Sequence, residues 1–82
     1  MKNNIEDRIK NVMSIVFNVP VSVIDENASP DSIESWDSLK HMNLIIALEE
    51  EFNIKIPDVE VANILTYKLI LYIINEILTS RI

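Results

Sequence analysis

Glycine is absent from this 82-residue chain, and so is cysteine. Without glycine, turns and helix ends fall to Asn, Asp, Ser and Pro, the other residues that tolerate such backbone. Without cysteine, disulfides and thiolate metal sites are excluded. A single histidine, His41, cannot build a zinc site alone, so no metal is expected. Basic residues are few: 7 Lys and Arg against 13 Asp and Glu give a net charge of −6. An acidic surface repels phosphate backbones, which argues against nucleic acid as a partner. It favours partners with basic patches, reached by electrostatic steering. Long apolar runs are also missing. The longest, residues 69–74, is far short of the ~20 residues that span a bilayer. Residues 1–7 are polar, and no apolar segment with a small-residue cleavage site follows. A cytoplasmic protein without a membrane span is the expectation.

What is present is a dense apolar complement, 49% of residues, with an ordinary charged fraction of 24%. That balance belongs to a folded chain rather than a disordered one. The length suits one domain, residues 1–82. There is no internal repeat, low-complexity tract or flexible linker.

Helical periodicity dominates. Ile5, Ile9, Val12, Met13, Val16 and Phe17 mark one face of a helix over residues 4–17, with Asn3 or Asn4 to cap it and Pro20 beyond its end. A long polar connection covers residues 18–36, with Val21, Val23 and Ile24 expected to pin it to the core. A second helix starts at Asp37 or Ser38 and ends near Phe52, where Asn53 can take the left-handed conformation. A short, weak helix is expected over residues 58–64, capped by Asp58 and carrying the poor helix formers Val59 and Val61. The last helix covers residues 66–78, with Ile70, Ile73, Ile74, Ile77 and Leu78 inward. The fold class is therefore all-α: a small four-helix bundle of three longer helices and one short one.

The second helix has two apolar faces. Leu44, Ile45, Leu48 and Phe52 form one, which should face the core. Leu39, Met42 and Ile46 form another. This second stripe is a pocket wall, a partner-docking surface, or a face simply wrapped by neighbouring helices. Glu49, Glu50 and Glu51 sit at the C-terminal end, where the helix dipole disfavours negative charge. They read either as an acidic docking patch or as a solvated charge run. No Ser-His-Asp set or paired carboxylates suggest catalysis, so no enzymatic activity is expected. His41, on the core side, reads as a packed or loop-bonded residue.

The run Trp36-Asp37-Ser38-Leu39, followed by Leu44, Ala47-Leu48-Glu49-Glu50-Glu51-Phe52 and Ile54-Lys55-Ile56-Pro57-Asp58, resembles the acyl carrier proteins. Phe17-Asn18-Val19-Pro20 with Ile24, and Ile64-Leu65-Thr66, extend the likeness over nearly the whole chain. The resemblance implies that Ser38 receives a 4'-phosphopantetheine from coenzyme A through a separate phosphopantetheinyl transferase. Acyl cargo would then ride as a thioester on the arm's terminal thiol. It also implies recognition by the transferase at Asp37 and Leu39. The stripe Leu39, Met42 and Ile46 would face partner or cargo, with Glu49, Glu50 and Glu51 as the electrostatic contact. Partners would be the transferase and the acyl-loading and acyl-transferring enzymes, met by a monomer. Val59, Val61 and Ile64 would border a cargo pocket. Without the pattern around it, Ser38 reads as an ordinary N-cap.

Two departures point away from a standard fatty acid synthase and towards a specialised pathway. Lys40 and Asn43 stand where fatty-acid carriers usually have acidic residues, and Trp36 stands where small residues are common. Trp36 would either shield the base of the arm or anchor the loop. Two alternatives stay open: an aminoacyl or peptidyl carrier, although the Gly-Gly-x-Ser motif of many peptidyl carriers is missing, and an unmodified helical adaptor.

Overall fold

A computed structural model describes residues 5–80, and these residues form helices and loops only. Helix α1 covers Ile5–Phe17, α2 Ser38–Phe52, α3 Asp58–Val61 and α4 Tyr67–Ser80, with one 3-10 turn at Val21–Val23. The fold is a small four-helix bundle with three longer helices and one short one. The expected caps at Asn3 and Asn4 lie outside the described residues. Among the described residues, no helix is long and apolar enough to cross a membrane.

The core follows the periodic stripes. Ile9, Met13 and Phe17 of α1 meet Leu44, Ile45, Leu48 and Phe52 of α2 and Ile70, Ile73 and Ile74 of α4, all buried. Leu69, Tyr72, Lys68, Asn75 and Glu76 lie on the solvent side of α4.

Both long N-terminal helices end without glycine in the same way. Asn18 (φ 57°) and Asn53 (φ 54°) take the left-handed conformation just past Phe17 and Phe52. The next amide then folds back five residues: Val19 N–H donates to Ser14 O and Ile54 N–H to Glu49 O. This satisfies carbonyls that a helix end would otherwise leave orphaned. Asparagine tolerates the conformation because its short polar side chain bonds locally.

The connection between α1 and α2 departs from expectation. Val21 and Val23 are exposed, and Ile24 alone of the three expected anchors is buried. The 3-10 turn folds residues 21–23 over the surface. The other anchors are Ala28, Ile33 and Trp36. Trp36 stacks on Phe17 at 4.8 Å between ring centroids. Ser35 Oγ–H donates to Phe17 O, and Ala28 O accepts from Tyr67 N–H at the start of α4.

Helix α3 is shorter than expected, ending at Val61, and Asp58 is its first residue rather than its cap. Pro57 takes the N-cap position without a side-chain hydrogen bond. Two β-branched valines in four residues leave nothing to propagate the helix to Ile64. Ile64 is nonetheless buried, just past the turn that follows α3, its N–H donating to Glu60 O. Thr66 caps α4, its Oγ1 accepting from Leu69 N–H.

Candidate functional site

The anchored loop delivers its last residues to the start of α2. Trp36 is fixed in the core, so Asp37 and Ser38 emerge at a defined point. Asp37 is the N-cap: its extended backbone (φ −109°) turns the chain, and its Oδ1 accepts from Lys40 N–H at 2.9 Å. Ser38 is therefore not the cap. It is the first helical residue, exposed, and its hydroxyl has no hydrogen-bond partner among the described residues. A helix start with free N–H groups and the positive end of the helix dipole favours an anion there.

An open pocket of about 250 Å³ lies beside this hydroxyl, lined by Pro30, Trp36, Asp37, Ser38, His41 and Leu65. Trp36 anchors the loop, as one of its two readings expects, and its side also lines this pocket. Val59, Val61 and Ile64 do not line this pocket, and Leu65 does. His41 is packed as expected, 8% exposed. Trp36 Nε1–H donates to its Nδ1 at 3.0 Å, and its Nε2 lies 2.7 Å from Val61 O.

The second stripe of α2 is uncovered. Leu39, Met42 and Ile46 are 69%, 49% and 52% exposed, so no neighbouring helix wraps them and none of them lines the pocket beside Ser38. At ~100° per residue, Asn43 and Glu50 share their face.

The three glutamates separate. Glu49 turns towards the loop after α2, and its Oε2 accepts from Ile56 N–H at 2.8 Å. Glu51 turns towards α1, where Arg8 Nε pairs with its Oε2 at 2.8 Å and Arg8 Nη2–H donates to its carbonyl. The same guanidinium lies 4.3 Å above the Phe52 ring. Glu50 is exposed with no partner among the described residues. The partners of Glu49 and Glu51 sit seven and 43 positions away, and no local pattern signals them.

No family model matches the chain. Among curated proteins, the acyl carrier protein of Buchnera aphidicola subsp. Schizaphis graminum (strain Sg) is 43% identical over 75 residues, covering 90% of this chain and 95% of that protein. The chain belongs to the acyl carrier protein family. Acyl carrier proteins bear a covalent 4'-phosphopantetheine and serve as carriers rather than catalysts. An exposed, unpartnered serine hydroxyl at a helix start suits such a group, because a phosphodiester placed there meets helix N–H groups instead of core.

Proposed function

We propose that this acyl carrier protein bears its 4'-phosphopantetheine on Ser38 and presents acyl thioesters to partner enzymes of a specialised pathway. The observation that carries the assignment is the division of labour at the start of α2. Asp37 does the capping, which leaves the Ser38 hydroxyl exposed and unpartnered. During modification Ser38 Oγ would bond to the pantetheine-side phosphorus of coenzyme A as the pyrophosphate P–O bond breaks, adenosine 3',5'-bisphosphate leaving and the transferase taking the hydroxyl proton. The arm, once attached, contributes the thiol on which acyl groups are carried. The chain itself holds the attachment point, orients it through Asp37 and Trp36, and offers a surface for recognition.

That surface is the exposed face of α2. Leu39 and Asp37 flank Ser38 for the transferase, and Met42 and Ile46 continue the apolar stripe along the helix. Of the acidic run, Glu50 shares the stripe's face, while Glu49 and Glu51 also bond within the fold. Lys40 and Asn43 make the α2 surface near the arm less acidic than in fatty-acid carriers, and this supports a specialised pathway. Residues 1–82 are read as one carrier domain, acting as a cytoplasmic monomer. A carrier must offer its arm to several enzymes in turn, which a buried face would obstruct.

The test is intact mass after incubation with coenzyme A and a broad-specificity phosphopantetheinyl transferase, with Ser38→Ala in parallel. One phosphopantetheine gained by the wild type alone is expected. No gain by the folded protein, with a control carrier modified alongside, would favour an unmodified helical adaptor.

A further inference from the structure

His41 is buried in a helical bundle that has no use for an imidazole in its core, yet both ring nitrogens are engaged. An indole N–H can only donate, so Trp36 fixes Nδ1 of His41 as the acceptor. The remaining nitrogen, Nε2, then carries the proton and donates to Val61 O at 2.7 Å. The tautomer is set by the loop, and the bond it directs reaches across to α3.

This bond holds a weak element. Helix α3 has four residues, none buried, and Val59 is 75% exposed. A helix that short cannot sustain itself in water, so it stays in place through its attachments. Val61 is its last residue and His41 lies in the first turn of α2. Parting α3 from α2 would leave a buried imidazole donor without its acceptor, a costly state.

The position matters because His41 also lines the pocket beside Ser38. One turn further along α2 are Leu44 and Ile45, and three residues past Val61 is Ile64, all core. An apolar chain tethered at Ser38 would gain by entering that core and leaving water. The latched arrangement offers instead an open pocket of about 250 Å³, below the ~300–1,000 Å³ of most small-molecule sites. Its walls are mixed, with Pro30, Trp36 and Leu65 against Asp37, Ser38 and His41.

We propose that His41 is a positioning residue for the cargo: by latching α3 to α2 it closes the core and keeps a short acyl group in the open pocket at Ser38. The inference rests on the reading of Ser38 as the attachment site. The cargo class it implies is a short acyl group, handed over from the surface rather than drawn out of the bundle.

The experiment loads octanoyl-phosphopantetheine onto the full chain from octanoyl-coenzyme A with a broad-specificity transferase. Wild type, His41→Ala, His41→Gln and Trp36→Phe are compared. Three quantities are read: amide chemical shifts against the unacylated holo form, hydrogen exchange of α3, and thioester cleavage by hydroxylamine. In the wild type, shifts should stay with the pocket residues, and cleavage should run at the rate of free octanoyl-pantetheine. In His41→Ala, α3 should lose protection, Leu44, Ile45 and Ile64 should shift, and cleavage should slow several-fold. His41→Gln, whose amide can donate to the same carbonyl, should behave as wild type. Trp36→Phe keeps an aromatic ring at the position and removes the tautomer-setting donor, so it should act in the direction of His41→Ala even if that variant fails to fold. Core shifts in the wild type equal to those of the variants would overturn the latch alone. Failure of the transferase to modify the chain at all would overturn the carrier reading and this inference with it.

Discussion

Glu49 and Glu50 are neighbours of identical chemistry, and the structure assigns them opposite consequences when truncated. Glu49→Ala removes the acceptor of Ile56 N–H, a bond of 2.8 Å in a part-buried setting. Ile56 is 3% exposed, which leaves its amide little access to water as a replacement. A buried donor left unsatisfied costs about 1–3 kcal/mol. Against this, one negative charge leaves the last turn of α2, which returns about 0.3–1 kcal/mol. The net loss is about 1–2 kcal/mol, or roughly 5–15 °C in Tm for a domain of this size. Glu50→Ala breaks no bond among the described residues and gains the same dipole relief, so it should be neutral or stabilising by up to about 1 kcal/mol. Glu49→Gln keeps an acceptor but loses charge assistance, and should fall between the two. Urea unfolding followed by far-UV circular dichroism separates the cases through the midpoint, with the slope unchanged. If Glu49→Ala proves as mild as Glu50→Ala, the carboxylate does not hold the turn after α2, and the reasoning fails.

The Arg8–Glu51 pair is about a third exposed on each side, so a double-mutant cycle should return only about 0.2–1 kcal/mol of coupling. Arg8→Ala should cost more than that coupling, because the contact over Phe52 and the bond to the Glu51 carbonyl go with it. Serine at Leu39, Met42 and Ile46 should leave the urea midpoint nearly unchanged while lowering kcat/KM for the transferase; equal rates with wild type would remove the stripe from the recognition surface. Burial, then the nearby Glu6 and Asp7 carboxylates, push the Tyr67 phenol up to about 12 from 10.0. The unfolded chain therefore ionises first: stability is intact below pH 10 and falls as pH rises through about 12. Tyr67→Phe should lose that decline and be neutral or stabilising at pH 7, since the buried hydroxyl has no partner among the described residues. Unfolding midpoints measured from pH 7 to 11 in both proteins decide it.

The helices were legible because a stripe such as Ile9, Met13 and Phe17 repeats at the helical period, and the buried set follows it. The loop was not, because apolarity in an aperiodic segment does not tell which way a side chain points. Val21 and Val23 are as apolar as Ile24, yet the 3-10 turn puts them outside. Ile33 and Ala28, placed among Ser, Asp and Glu, gave no pattern at all. At the site, the Asp-Ser pair announced a helix start but not which residue caps it; the hydrogen bond to Lys40 N decides for Asp37. The glutamate run was visible, and its three-way division was not. Facing direction along α2, set at ~100° per residue, sends Glu49 to the Ile56 amide, Glu51 to Arg8 and Glu50 to solvent. The link from Trp36 through His41 to Val61 joins three elements and lies beyond what spacing can specify.

The loop before α2 also decides where the chain can absorb added length. Ile24, Ala28, Ile33 and Trp36 nail it down at intervals, and the exposed stretches between them close in local turns, Ala28 N–H donating to Asp25 O and Ile33 N–H to Ser29 O. An extra residue beside Glu26 or Asp31 would open its own exposed turn and bulge into solvent. The same residue inserted after Trp36 has no slack to enter. It would push Asp37 off the helix start and carry the Ser38 hydroxyl away from its pocket, without touching the core at all. The position of the Ser38 hydroxyl is thus borrowed from an indole two residues upstream, and added length is tolerated least between the two.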